Sequence, residues 1–158
     1  MSRRDETVDL GRNAPRLEKW IIERDSDADF FLTVNLPDVD GSILSTDTID
    51  EGICHIKKSE ADTTPLVIIG TGTRDYMTIT RPNPNQVLIA IELPPSVTQN
   101  DLNLTPEAIG GADLVRAGIP QNGDSDIRLE LATGKIHFVA RIGIQADRMI
   151  THPSQEPD

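Results

Sequence analysis

Residues 127–144 decide the fold: Ile127-Arg-Leu-Glu-Leu-Ala-Thr133-Gly134-Lys-Ile136-His-Phe-Val-Ala-Arg-Ile-Gly-Ile144. Ile136, Phe138, Ala140, Ile142 and Ile144 fall two residues apart, opposite His137, Val139, Arg141 and Gln145, which is the period of a pleated strand. Thr133-Gly134 separates the runs 127–131 and 136–144, and a turn pair between two apolar runs predicts a hairpin. Residues 87–93 repeat the pattern, with Val87, Ile89, Ile91 and Leu93 opposing Leu88, Ala90 and Glu92. One buried and one wetter face belongs to antiparallel sheets, not to parallel sheets covered on both sides.

Towards the N-terminus, short apolar runs bounded by Gly, Pro, Asn or Asp recur at 20–23, 30–36, 52–57, 66–69 and 77–80, the rhythm of an all-β domain. Asp40-Gly41 and Asn83-Pro84-Asn85 are further breaker pairs at hairpin positions. Between 94 and 123 the period lapses. There Thr105-Pro106-Glu107 reads as an N-cap followed by proline at the first helical position, with Gly110-Gly111 as the stop, so one short helix is expected. Residues 1–16, with Arg3, Arg4, Arg12 and Arg16 among acids, have no apolar period and predict an extended arm, removable without unfolding the rest. The expectation is an antiparallel, immunoglobulin-like β-sandwich over 17–151, flanked by the arm 1–16 and a proline-bearing tail over 152–158.

The chain has 158 residues, 15 Lys+Arg and 26 Asp+Glu, for a net charge of −11. That length suits one domain with an ordinary core. Such acidity argues against duplex nucleic acid and anionic membrane as partners, since neither polyanion releases counterions to a surface of its own sign. Trp20, Phe30, Phe31, Tyr76 and Phe138 are the only aromatics, too few for the stacking platforms of single-strand binders. Cys54 is the single cysteine, which excludes an internal disulfide and a multi-cysteine zinc site. No targeting or spanning segment is read, so a cytosolic origin is expected.

The chemistry-bearing motifs fail one by one. Asp25-Ser-Asp27-Ala-Asp29 opens like a calcium loop, but Phe30 stands where the sharp turn needs Gly and Leu36 where a bidentate Glu is needed. Asp38-Val-Asp40-Gly41 reads as a hairpin turn, and Asp47, Asp50 and Glu51 as solvated charge. Gly70-Thr-Gly72-Thr-Arg74 lacks the third glycine of a dinucleotide fingerprint and the Lys-Ser/Thr of a P-loop, and reads as a turn. His55 should face away from its neighbour Cys54, His137 lies on the outward face of its strand, and His152 is in the tail, so no imidazole activates the thiol. Asn103-Leu-Thr105 matches a glycosylation acceptor by chance. No catalytic residue, metal ligand or cofactor site is expected.

The order of elements resembles the β-sandwich module of tailed-phage tail-fibre and upper-baseplate proteins. Phe30-Phe-Leu-Thr-Val34 with Asp40-Gly41 is similar to its opening strand and turn. Ile53-Cys-His-Ile-Lys-Lys58 with Thr64-Pro65-Leu66 resembles the next step, and Met77-Thr-Ile-Thr80, residues 86–94 and Val97-Thr98 the third. Residues 126–131, Thr133-Gly-Lys135, Arg141-Ile-Gly-Ile144 and Met149-Ile-Thr151 resemble the closing hairpin and exit. The resemblance implies a non-enzymatic virion structural protein, made in the host cytoplasm. It would be an oligomeric adaptor whose partners are its own copies and other virion proteins, attaching tail, baseplate, neck or fibre components. The competing expectation, from the −11 charge, is a free-standing acidic protein-binding module that mimics nucleic acid or inhibits a basic site.

Overall fold

Alternate burial marks the strands over 28–35 and 86–93 of the computed structural model, which describes residues 2–11, 14–23, 26–39, 42–57, 64–100 and 121–147. Nine strands and one short helix follow in order: β1 (Ser2–Asp9), β2 (Arg16–Glu23), β3 (Ala28–Asn35), β4 (Ile49–Lys57), β5 (Val67–Gly70), β6 (Asp75–Asn83), β7 (Gln86–Leu93), α1 (Pro95–Asn100), β8 (Gln121–Leu131) and β9 (Ile136–Asp147). Strand β7 buries Val87, Ile89, Ile91 and Leu93, as its period requires. Its neighbour β3 buries Ala28, Phe30, Leu32 and Val34 in an antiparallel register that sets Phe30 opposite Ile91 and Leu32 opposite Ile89. Each of the eight apolar runs falls on a strand, with Leu36 and Leu66 one residue outside.

The strands form one nearly closed, barrel-like sheet in the order β1-β3-β7-β6-β5-β4-β8-β9-β2. Two expected hairpins are present. Pro84-Asn85 joins β6 to β7 through the facing pair Asn83 and Gln86, and β8 turns into β9 through Gly134 at φ 89°, a left-handed angle that glycine adopts without strain. The third is not a hairpin. Asp40-Gly41 itself lies outside the described residues, but β3 pairs with β1 and β7 while β4 pairs with β5 and β8, so these two strands do not form the expected hairpin. Pairing is also mixed and not wholly antiparallel, because β1–β3, β2–β9 and β5–β6 run parallel.

The largest difference from expectation is at the N-terminus. Residues 2–9 are strand β1, paired along its whole length with β3, and Val8 and Leu10 are buried in the core. The alternation is hidden because charged residues occupy most of the exposed face and much of the other, with burial coming from only two side chains. Removing this segment would strip β3 of a neighbour, so the reading of it as a dispensable arm is corrected.

Strands β1 and β2 lie at opposite ends of the sheet order and form the two lips of its seam. Arg4 bridges them: its Nη1 donates to the carbonyls of Glu18 at 2.6 Å and Lys19 at 2.7 Å, and its Nε to Glu6 at 2.7 Å. These carbonyls sit at a break in register between Leu17 and Trp20, where β2 does not follow β9, so a charged donor satisfies backbone that the ladder leaves open. Beneath the guanidinium, Trp20 and Phe30 meet with centroids 5.2 Å apart and plug the seam with apolar surface. The helix α1 follows β7 earlier than the sequence signals suggest. The Thr105-Pro106 helix signal and the tail from His152 lie outside the described residues.

Candidate interaction face

The outward face of β4, β8 and β9 carries a cleft of about 350 Å³. Register builds it row by row. His55 faces Asp126 on β8, which faces Arg141 on β9, which in turn faces Arg16 on β2. One row along, Ile53, Arg128 and Phe138 are abreast, and on the other side Lys57 faces Asp124. Because paired residues in a sheet project to the same side, every one of these side chains points into the same space. Ile53 is 3% exposed yet stands apart from the hydrophobic core cluster, and it forms the apolar floor of the cleft.

The local charge is opposite to that of the whole molecule. Arg16, Lys57, Arg128 and Arg141 stand against Asp124 and Asp126, a balance of +2. Only Arg16 has an ion pair there, with Asp124 at 3.1 Å; among the described residues Lys57, Arg128 and Arg141 have no carboxylate in contact. His55 reports the resulting potential: partial burial first, then Arg128 and Lys57, lower its pKa, while Asp126 works in the other direction.

A β-bulge shapes the upper edge of this face. Ile127 pairs with Ala140 and Arg128 with Phe138, so Val139 is an extra residue in β9. The strict alternation expected over 136–144 therefore fails at its centre. Ala140, Ile142 and Ile144 are buried as expected, but Ile136 and Phe138 turn outward, 48% and 47% exposed, and His137 turns to the side of buried Leu129. Sequence reasoning placed Phe138 and His137 on the wrong faces. The trace that betrays the bulge is Val139-Ala140, two consecutive apolar residues that are both fully buried.

The three histidines are not brought together. His55 is on the outer face of β4, His137 is turned inward on β9 with Nε2 buried and unpartnered, and His152 lies outside the described residues. Cys54 faces the core opposite Ile127, and burial, then the nearby Asp126, push its thiol up to about 12, far from a thiolate at neutral pH. Of the calcium-like run, Asp25 lies outside the described residues, Asp27 is exposed, and Asp29 sits in β3 opposite Glu92. Among the described residues no three potential ligands cluster for a metal. Gly70-Thr-Gly72-Thr-Arg74 is a turn, with Gly72 at φ 70° and Arg74 reaching back to Glu51 at 3.3 Å. The described helix is too short to cross a membrane.

The arrangement can do one thing well: hold an anion-bearing, partly apolar surface against Arg128, Arg141 and Phe138. No protein-family model matches the chain, and no curated protein is significantly similar to it.

Proposed function

We propose that this protein is a non-enzymatic assembly subunit, an oligomeric adaptor that attaches one component of a phage-like particle to another. The observation that carries the reading is the bulge at Val139. It turns Ile136 and Phe138 out of the barrel beside unpaired arginines, an arrangement with no use to an isolated soluble strand and a direct use at a protein contact. Ile21, Val39 and Ile68, each about half exposed, extend the supply of apolar surface available to neighbours. The virion assignment rests on the sequence alone, whose order of apolar runs and turns resembles that of tail-fibre and upper-baseplate modules. On the same reading the nearly closed sheet is a flattened, immunoglobulin-like sandwich with layers β1-β3-β7-β6 and β5-β4-β8-β9-β2, joined by the two-residue β5–β6 ladder.

The partners are further copies of the chain and other structural proteins of the particle. The test is to purify particles from cells producing the protein and quantify the chain by mass spectrometry. A fixed, repeated copy number per particle is expected. A chain found only in the soluble fraction, held to a basic cellular target by a salt-sensitive complex, would replace this reading with that of an acidic inhibitor.

A further inference from the structure

One loop complements the cleft. Pro37, Asp38 and Val39 are three consecutive exposed residues, and Val39, at 56%, is the most exposed large apolar side chain among the described residues. Its described residues are tied down. Asp38 holds a left-handed φ of 57°, a strained angle for a residue with a side chain, and its carboxylate accepts the Ser45 backbone N–H at 2.8 Å. Ser42 donates to the Val39 carbonyl at 3.1 Å. Behind it the Arg81 guanidinium clamps the carbonyls of Leu44, Ser45, Asp47 and Pro84. So many bonds spent on holding an apolar tip in water call for a use of that tip.

We propose that the Asp38-Val39 tip of one copy docks in the cleft of a second copy, with Val39 on Phe138 and Ile53 and the Asp38 carboxylate between Arg128 and Arg141. This inference rests on the assembly reading and names its contact. Charge favours it: with −11 for the chain and +2 for the charged cleft residues, everything else sums to −13, so the cleft is a positive acceptor on an otherwise negative molecule. At physiological salt the mutual repulsion of two acidic bodies is screened beyond about 8 Å, whereas contacts within the cleft are not.

Tip and cleft occupy different parts of the sheet. The loop leaves the end of β3, which β7, β6 and β5 separate from the cleft strand β4 on one side and β1 separates from the cleft strand β2 on the other. Tip and cleft are different surfaces, so their contact is head-to-tail, the kind that closes into rings or runs on as filaments. Each contact is small, and repetition around a ring supplies the avidity.

The experiment is sedimentation velocity on the full chain from about 10 μM to about 1 mM, a range suited to weak contacts. The wild type should associate, more weakly as salt rises. Val39→Arg blocks the tip and Arg141→Glu reverses the cleft; both residues are exposed, and each variant alone should weaken association at least about tenfold. Mixed, the two should form a 1:1 dimer and nothing larger, because one supplies the only intact cleft and the other the only intact tip. Lys57→Glu replaces Arg141→Glu if the latter melts early. A mixture that stays monomeric overturns the proposal. A wild-type oligomer that ignores both substitutions overturns this contact and leaves the assembly reading standing, whereas a monomer at every concentration that is also missing from particles removes both.

Discussion

Cys54 and His55 are adjacent in β4 and differ in everything else, because the strand divides two worlds. The inner face of β4, β8 and β9 carries Cys54, Ile56, Ile127, Leu129, Ala140 and Ile142, all buried, and it raises the thiol. The outer face carries His55, Asp126, Arg128 and Arg141, half-wet, and it suppresses the imidazolium. The inner face is closed by packing; the outer face is a charged surface with apolar margins. What the contrast teaches is that packing and charge are written on opposite sides of the same three strands.

The sharpest break of this contrast is a pair of adjacent truncations. Leu129→Ala removes a fully buried side chain and should cost about 3 kcal/mol, lowering the melting temperature by roughly 6–12 °C for a domain of this size. Arg128→Ala, one residue away on the outer face, should change stability by less than about 0.5 kcal/mol. Thermal and urea denaturation read both. Equal losses would mean that the outer face is structural after all.

Cys54 offers a smaller, pH-selective effect. Its ordinary value is 9.0 and the fold pushes it to about 12, so above pH 9 the unfolded chain ionises the thiol and the folded chain does not. Cys54 therefore contributes its full share of stability below pH 9 and loses it as pH climbs from 9 towards 12. Comparing the alkaline slope of wild type with Cys54→Ala isolates the thiol from Tyr76 and the lysines. Iodoacetamide at pH 8 should label the native thiol far more slowly than the thiol in urea. Equal labelling would place Cys54 at the surface.

Much of the inner face was legible in the chain and much of the outer face was not, for physical reasons. Periods of two at 87–93 announce β7 because burial demands apolar residues there and solvent tolerates anything opposite. The same tolerance hides β1: Arg3, Asp5, Thr7 and Asp9 face water, and Arg4 and Glu6 serve the seam, so only Val8 betrays a buried face within the strand. The bulge at Val139 is invisible to alternation, since a single inserted residue swaps both faces beyond it. That swap moves Phe138 from the expected core to the rim of the cleft. The cleft itself joins Arg16, Lys57, Asp124 and Arg141, residues far apart in sequence, through β2–β9 and β4–β8 pairings that no local pattern encodes.

The smallest predicted effect is the most direct probe of the outer face. His55 should titrate below its ordinary 6.5 in the folded protein, followed by the imidazole proton signals in NMR. Burial is the first cause, and it remains when charges are changed; Arg128 is the second, and Arg128→Gln should therefore move the midpoint upward without restoring it fully. Asp126→Asn removes the group that favours the imidazolium and should move it further down. The linkage has a definite sign: the folded chain holds the proton less tightly than the unfolded chain, so His55 costs stability as pH falls through 6.5 and costs nothing above it. An occupied cleft changes both causes at once, since a docked partner adds burial while its carboxylate offsets part of the Arg128 potential. His55 therefore serves as an internal gauge: its midpoint should move with protein concentration in the wild type and stay constant in Val39→Arg.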